Sequence, residues 1–328
     1  NPHVVALPEI LARNLRIPLI GAPMFIVSVP DLVVAQCTAG IVGSFPALNA
    51  RPQERLDDWL RDIKARLAAY AEANPDVPVA PFAVNQIVHG SNTRLLADME
   101  TCVRHEVPII ITSLRPPGDV VEAVHGYGGL VFHDVISLRH AHKAMEQGVD
   151  GIIAVCAGAG GHAGPLSPFA LVKEIRREFD GVIILSGAMS SGGDILAAQA
   201  MGADLAYIGT RFIATPEANA SGDYKQMIVS SKAADIVYTP VFTGVHGSYL
   251  RGSIENAGLD PDNLPDPDPS AMDFASSAKS DAKAWRDIWG AGQGVGTIDD
   301  VLPTHDLVLR IEAEYEAARA RLLSTPGR

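Results

Sequence analysis

The chain has 328 residues, 47% of them hydrophobic, with 26 Lys+Arg against 38 Asp+Glu and a net charge of −12. An acidic surface without Lys/Arg runs interleaved with aromatics repels phosphate backbones, which argues against a nucleic-acid partner. The longest apolar stretches, such as 107–112 and 181–185, are strand-length and fall far short of the ~20 residues that a membrane-crossing helix needs.

Taken in chain order, short β-branched runs alternate with amphipathic stretches, and each run ends in a cluster of Gly, Pro, Asn or His. That alternation is the βα signature. Strand-like runs fall at 17–22, 40–45, 79–84, 108–112, 129–133, 151–155, 182–186 and 205–208. Eight of them predict an α/β fold closed into a (β/α)8 barrel of the TIM type. Between strands, Leu56, Trp59, Leu60, Ile63, Leu67 and Tyr70 recur at helical spacing and define one apolar face. After residue 208 the rhythm changes. Few strand runs occur between 214 and 289, and 259–270 carries prolines at 261, 265, 267 and 269 among four aspartates. This predicts a mostly helical insertion across the barrel mouth with an acidic, proline-rich loop on its surface. Leu307, Ile311, Tyr315 and Leu322 then predict a closing helix over 302–323. The expected organisation is a barrel at 1–214, a lid insertion at 215–289 and a return segment at 290–328.

No secretory signal is visible. The three cysteines, Cys37, Cys102 and Cys156, are odd in number and match no zinc or disulfide spacing, so a reducing cytoplasm is the expected location. The acidic surface neither requires nor excludes a homodimer.

In a parallel barrel, chemistry sits at the C-terminal ends of the strands. Gly21-Ala22-Pro23-Met24 follows the first strand with small residues that let backbone approach a flat ligand. Asn85, after the third, offers an amide that both donates and accepts, as a heteroaromatic edge requires. Ser186-Gly187-Ala188 after the seventh strand and Gly209-Thr210-Arg211 after the eighth occupy the recurrent phosphate site of this fold. There the backbone N–H groups of Gly187, Ala188, Gly209 and Thr210, with the Thr210 hydroxyl, would cradle a terminal phosphate. A glycine-dense stretch, 157–164, follows the sixth strand and carries His162 at the rim. That histidine can act as a general base, a proton donor or an anion clamp. His133, beside Asp134 at the end of the fifth strand, is a candidate for orienting a cofactor. A P-loop lysine and a GxGxxG after the first strand are both missing. No ligand-spaced metal cluster appears. Cys156 reads as a strand residue rather than a nucleophile.

Together, Gly21-Ala22-Pro23-Met24, Asn85, Ala157-Gly158-Ala159-Gly160-Gly161-His162-Ala163-Gly164, Ser186-Gly187-Ala188, Gly209-Thr210-Arg211-Phe212 and Trp289-Gly290-Ala291-Gly292-Gln293-Gly294 resemble the nitronate monooxygenase family. The resemblance implies non-covalent FMN in a TIM barrel with an added lid, and oxidation of an alkyl nitronate by dioxygen to a carbonyl compound and nitrite. It also implies flavin contacts at Ala22, Met24, Asn85, Gly187, Gly209, Thr210 and Gln293, with His162 as the active-site histidine; Pro23, His133, Gly161, Ser186, Ala188, Ala291, Gly292 and Gly294 complete the expected cofactor-binding set. Two positions depart from the family pattern. Ala188 replaces a glycine of the phosphate loop, and Asp134 stands where relatives often carry a lysine near the flavin, exchanging a cation for an anion. The same scaffold serves NAD(P)H-dependent FMN reductases acting on quinones or enoyl thioesters. A flavin-free barrel binding a phosphate ester is a third reading.

Overall fold

The computed structural model describes residues 7–265 and 287–324. Eight parallel strands form the barrel: β1 (Leu19–Gly21), β2 (Gly43–Pro46), β3 (Phe82–Val88), β4 (Ile109–Leu114), β5 (Leu130–Val135), β6 (Gly151–Val155), β8 (Val182–Ser186) and β9 (Leu205–Ile208). β9 returns to pair with β1, and a bridge between Ile20 and Val42 joins β1 to the start of β2, so the sheet closes on itself. All eight expected strands are present.

Their alternation sets the two layers of the core. Inward residues such as Ile20, Ala83, Ile111, Phe132, Ile184 and Leu205 fill the barrel. Outward residues one position along, such as Val84, Ile110, Val131, Ile152 and Leu185, pack beneath the helices. The boundaries of β1 to β5 shift by one to four residues from the expected ones, most at β3, which runs Phe82–Val88 against the expected 79–84. β2 starts at Gly43 rather than at 40, because Gly40 (φ 100°) stops the helix α2 (Pro30–Ala39) and donates its N–H to Cys37 O. β5 runs two residues past 133, to Val135.

The expected helix appears as α3 (Arg55–Ala73), which buries Leu56, Leu60 and Ile63 against the barrel. The closing helix spans Thr304–Ser324 and buries Leu307, Val308 and Ile311, while Leu322 faces outward. It lies along α2 and the helix after β8, Gly192–Met201.

The region after β9 holds helices at Thr210–Ile213, Gly222–Ser230 and Arg251–Asn256, as expected of the insertion, and a sheet that periodicity did not announce. β10 (Ile236–Thr239) and β11 (Gly247–Leu250) are antiparallel, and β11 pairs in turn with β7 (Gly161–His162), which lies inside the glycine-rich stretch. The barrel-mouth loop is thereby stitched to the insertion. Of the acidic, proline-rich stretch, residues up to 265 are described and 266–270 lie outside the described residues; Asp262 pairs with Arg251 at 3.0 Å. Among the described residues no helix is long and apolar enough to cross a membrane.

Candidate active site

A cavity of about 500 Å³ opens at the C-terminal end of the barrel, between the strand-end loops and the insertion. Its wall at β8 and β9 is made of backbone. β8 ends in Ser186, and Gly187 and Ala188 follow at the cavity with φ of 139° and 58°. A short side chain is all this geometry admits, and Ala188 accepts left-handed backbone that few non-glycine residues adopt.

The next helix does not use these donors. Its Asp194 carboxylate accepts from the N–H groups of Ser190 (2.8 Å) and Ser191 (3.0 Å), and Ser191 Oγ closes the capping box. Among the described residues the N–H groups of Gly187, Ala188 and Met189 reach no protein acceptor. Gly209 and Thr210 complete the wall. Thr210 Oγ1 accepts from Gly292 N (2.9 Å), which leaves its own hydrogen to donate. Arg211 points elsewhere: it is buried, and its guanidinium holds Asp300 at 2.8 Å. An anion here is met by peptide dipoles and a hydroxyl, without a cation.

Three loops converge on this wall. A Cβ on Gly160 would lie 2.8 Å from Gly292 N, so the glycine-rich loop and the return segment touch backbone to backbone. Gln293 N donates to Gly158 O at 2.8 Å.

The opposite wall, at β3 to β5, is made of side chains. Asn85 Nδ2 donates to Ile111 O (3.2 Å) and to Ser113 Oγ (3.0 Å), and Ser113 Oγ donates to Asp134 Oδ2 (2.7 Å). Asp134 Oδ1 is buried without a partner, and burial pushes the carboxyl up to about 6. Tyr207, inward on β9, is neutral because burial, and then the nearby Asp134 charge, raise its phenol.

The roof carries His162 on β7. Its Nε2 lies 3.0 Å from Thr243 Oγ1, in the insertion, and burial pulls its pKa down to about 4, so the ring is neutral at pH 7. Beside it, Tyr224 stacks on Trp289 at 4.9 Å and 4° between planes, and Tyr224 Oη donates to Gly290 O.

Of the sequence-derived site residues, Ala22, Pro23, Met24, Asn85, Gly161, His162, Ser186, Gly187, Ala188, Gly209, Thr210, Ala291, Gly292 and Gly294 all line this one cavity. Two do not. His133 lies on the outward face of β5, buried, with Nδ1 2.7 Å from Thr112 Oγ1; burial, then the neighbouring His140, lowers its pKa to about 4. Because side chains alternate along a strand, the inward position is its neighbour, Asp134. Gln293 stands behind the cavity lining, with its side-chain amide against Gly158. Sequence reasoning left Ser113, Asp134, Tyr207, Tyr224 and Trp289 off the list of contacts; period-2 alternation through 134 was the available signal for Asp134. Cys156 is buried, and its thiol is pushed up to about 12, which makes it inert as a nucleophile. Among the described residues no group of three His, Cys, Asp or Glu could hold a metal ion.

The family model described as nitronate monooxygenase matches residues 10–314. A nitronate monooxygenase of Paraburkholderia phytofirmans is 28% identical over 93% of this chain and 94% of its own length. Among solved structures, FabK from Thermotoga maritima superposes with a TM-score of 0.79 at 23% identity, covering 97% of this chain and 98% of that one. A nitroalkane oxidase from Streptomyces ansochromogenes does so with a TM-score of 0.76 at 24% identity, covering 96% and 100%. At these identities the structural likeness speaks for the barrel fold.

Proposed function

The chain belongs to the nitronate monooxygenase family, a family of oxidoreductases, and we propose that it uses FMN and dioxygen to oxidise alkyl nitronates, and neutral nitroalkanes after proton removal, to a carbonyl compound and nitrite. The observation that carries this reading is the run of acceptor-free N–H groups at Gly187, Ala188 and Met189, facing a cavity roofed by a neutral histidine. The first feature suits the FMN phosphate, and the second suits proton management at a carbon acid.

The residues present fit that cofactor. Gly187, Ala188, Gly209 and Thr210 would hold the phosphate, and Ala22, Pro23 and Met24 keep the loop after β1 thin enough for a flat ring. Asn85, its amide nitrogen already committed to Ile111 and Ser113, has its carbonyl oxygen left to accept. Bound FMN would supply the redox chemistry, taking electrons from the substrate and passing them to dioxygen.

The chain's own contribution is binding, exclusion of water and one proton. A neutral imidazole can accept the α-proton of a nitroalkane, whereas a preformed nitronate needs no base, so His162 separates the two substrate forms. Thr243 holds the ring in place from the insertion. The pairing of β7 with β11 fixes the backbone of His162 itself.

The visible spectrum of the purified protein tests this. Two flavin bands that bleach with nitronate alone under anaerobic conditions are the expected result. A colourless protein that takes up no FMN overturns the reading. Bleaching by NAD(P)H alone replaces it with a reductase acting on a quinone or an enoyl thioester.

A further inference from the structure

Asp134 is the one Asp, Glu, Lys or Arg among the described residues lining the cavity. Its setting is one-sided. Oδ2 receives the Ser113 hydroxyl, itself anchored by Asn85, while Oδ1 is buried with no partner. No cation faces it. The Tyr207 phenol on β9 feels its charge, and the other titratable groups lining the same cavity are the His162 imidazole on β7 and the His140 ring on α6 (Leu138–Glu146). Tyr207 and His162 are neutral at pH 7, and His140 is lowered from its usual value by burial and by the charges of Lys143 and Arg139. His133 is turned to the other face of β5, on Thr112. Asp134 is half-buried at the cavity wall, with Oδ1 itself buried. A flat ligand that covers its remaining exposed atoms leaves a charge with one hydrogen bond and no counter-ion among the described residues, the arrangement that proteins avoid by neutralising the group.

We propose that Asp134 takes up a proton when the cavity fills and meets the bound ligand as a neutral carboxylic acid, a hydrogen-bond donor to an acceptor atom of a heteroaromatic ring. The inference rests on the FMN reading and deepens it. Where a lysine would supply a fixed positive charge beside such a ring, an acid supplies a donor without charge, and ligand affinity becomes tied to pH. The sign follows from linkage. With the empty-cavity carboxyl at about 6, roughly one Asp134 in ten carries a proton at pH 7, and binding must recruit the rest. Affinity therefore weakens as pH rises.

Titration calorimetry of FMN into the cofactor-stripped full chain at pH 7, in two buffers with different ionisation heats, counts the protons taken up. The phosphate of FMN titrates alike in wild type and variants, so differences between them belong to the protein. Wild type should take up about 0.9 proton more than Asp134→Asn, whose amide keeps the shape and a donor but cannot ionise. Its Kd should weaken up to about tenfold more than the variant's between pH 7 and 8. Ser113→Ala provides a second reading that does not depend on that variant folding. Without the hydroxyl that stabilises the carboxylate, more of the acid is already protonated before FMN arrives, and proton uptake should fall below that of wild type. Equal proton counts in wild type and Asp134→Asn, or in wild type and Ser113→Ala, overturn the inference and leave the FMN reading standing. Failure of wild type to bind FMN at all overturns both.

Discussion

The cavity's two walls do the same job with different materials. At β8 and β9 a ligand in the proposed site would meet peptide N–H groups, at Gly187, Ala188 and Met189, where the small Gly187 and Ala188 leave the backbone open to it. At β3 to β5 it meets an ordered series of side chains, Asn85, Ser113 and Asp134, each holding the next. Peptide donors do not titrate and are removed only by proline, so the first wall adds no titrating group of its own. Side chains titrate and can be exchanged one at a time, so the second wall, with His162 above it, is where chemistry can be adjusted while the barrel stays unchanged.

Substitutions that strike one function and spare the other sharpen the comparison. The largest effect belongs to the roof. His162→Asn should lower nitroalkane turnover by on the order of 10²–10⁴-fold while nitronate turnover and FMN content change little, since only the nitroalkane needs a base. Side-by-side assays with the two substrate forms decide this, and equal losses for both would contradict it. Because burial holds His162 at about 4, its basic form is present throughout the range above that, and its contribution to nitroalkane turnover should disappear only as pH falls through about 4.

Next in size is the backbone wall. Gly187→Asp places a carboxylate against the proposed phosphate at a residue with φ of 139°, where a side chain is also strained. A like-charge contact costs several kcal/mol, so FMN affinity should fall by on the order of 10²-fold or more, read by fluorescence as released flavin. Unchanged retention would show that the phosphate lies elsewhere.

The two walls also differ in how plainly the sequence displays them. A backbone site must be written in glycine and other small residues, and such residues stand out after strands; Gly187, Ala188, Gly209 and Thr210 were therefore legible, as were the eight strands that carry them. A side-chain site is written in ordinary polar residues whose meaning depends on strand phase. Ending β5 at 133 put His133 at the cavity, and the true strand, continuing to Val135, turns His133 outward and Asp134 inward. The insertion's sheet was hidden for another reason. Gly161 and His162 have little strand propensity, and their partners Ser248 and Gly247 lie more than eighty residues away, so nothing local announces the pairing. Gln293 belongs to a motif whose glycines face the cavity, and only the coordinates separate the residue that supports the loop from those that line it.

The smallest effect tests the side-chain wall by itself. Asn85→Leu keeps the volume and removes both the donor that anchors Ser113 and the carbonyl left to accept from a ligand. One net hydrogen bond is worth about 1 kcal/mol, so FMN should bind about five- to tenfold more weakly, far less than with Gly187→Asp. The loss reaches further than affinity. Ser113, freed from Asn85, no longer holds its hydroxyl toward Asp134 in one orientation, and the carboxylate loses part of its stabilisation. The pH at which FMN affinity begins to weaken should therefore move upward, toward that of Ser113→Ala. A fall in affinity with the pH profile unmoved would mean that Asn85 touches the ligand but does not order the wall behind it.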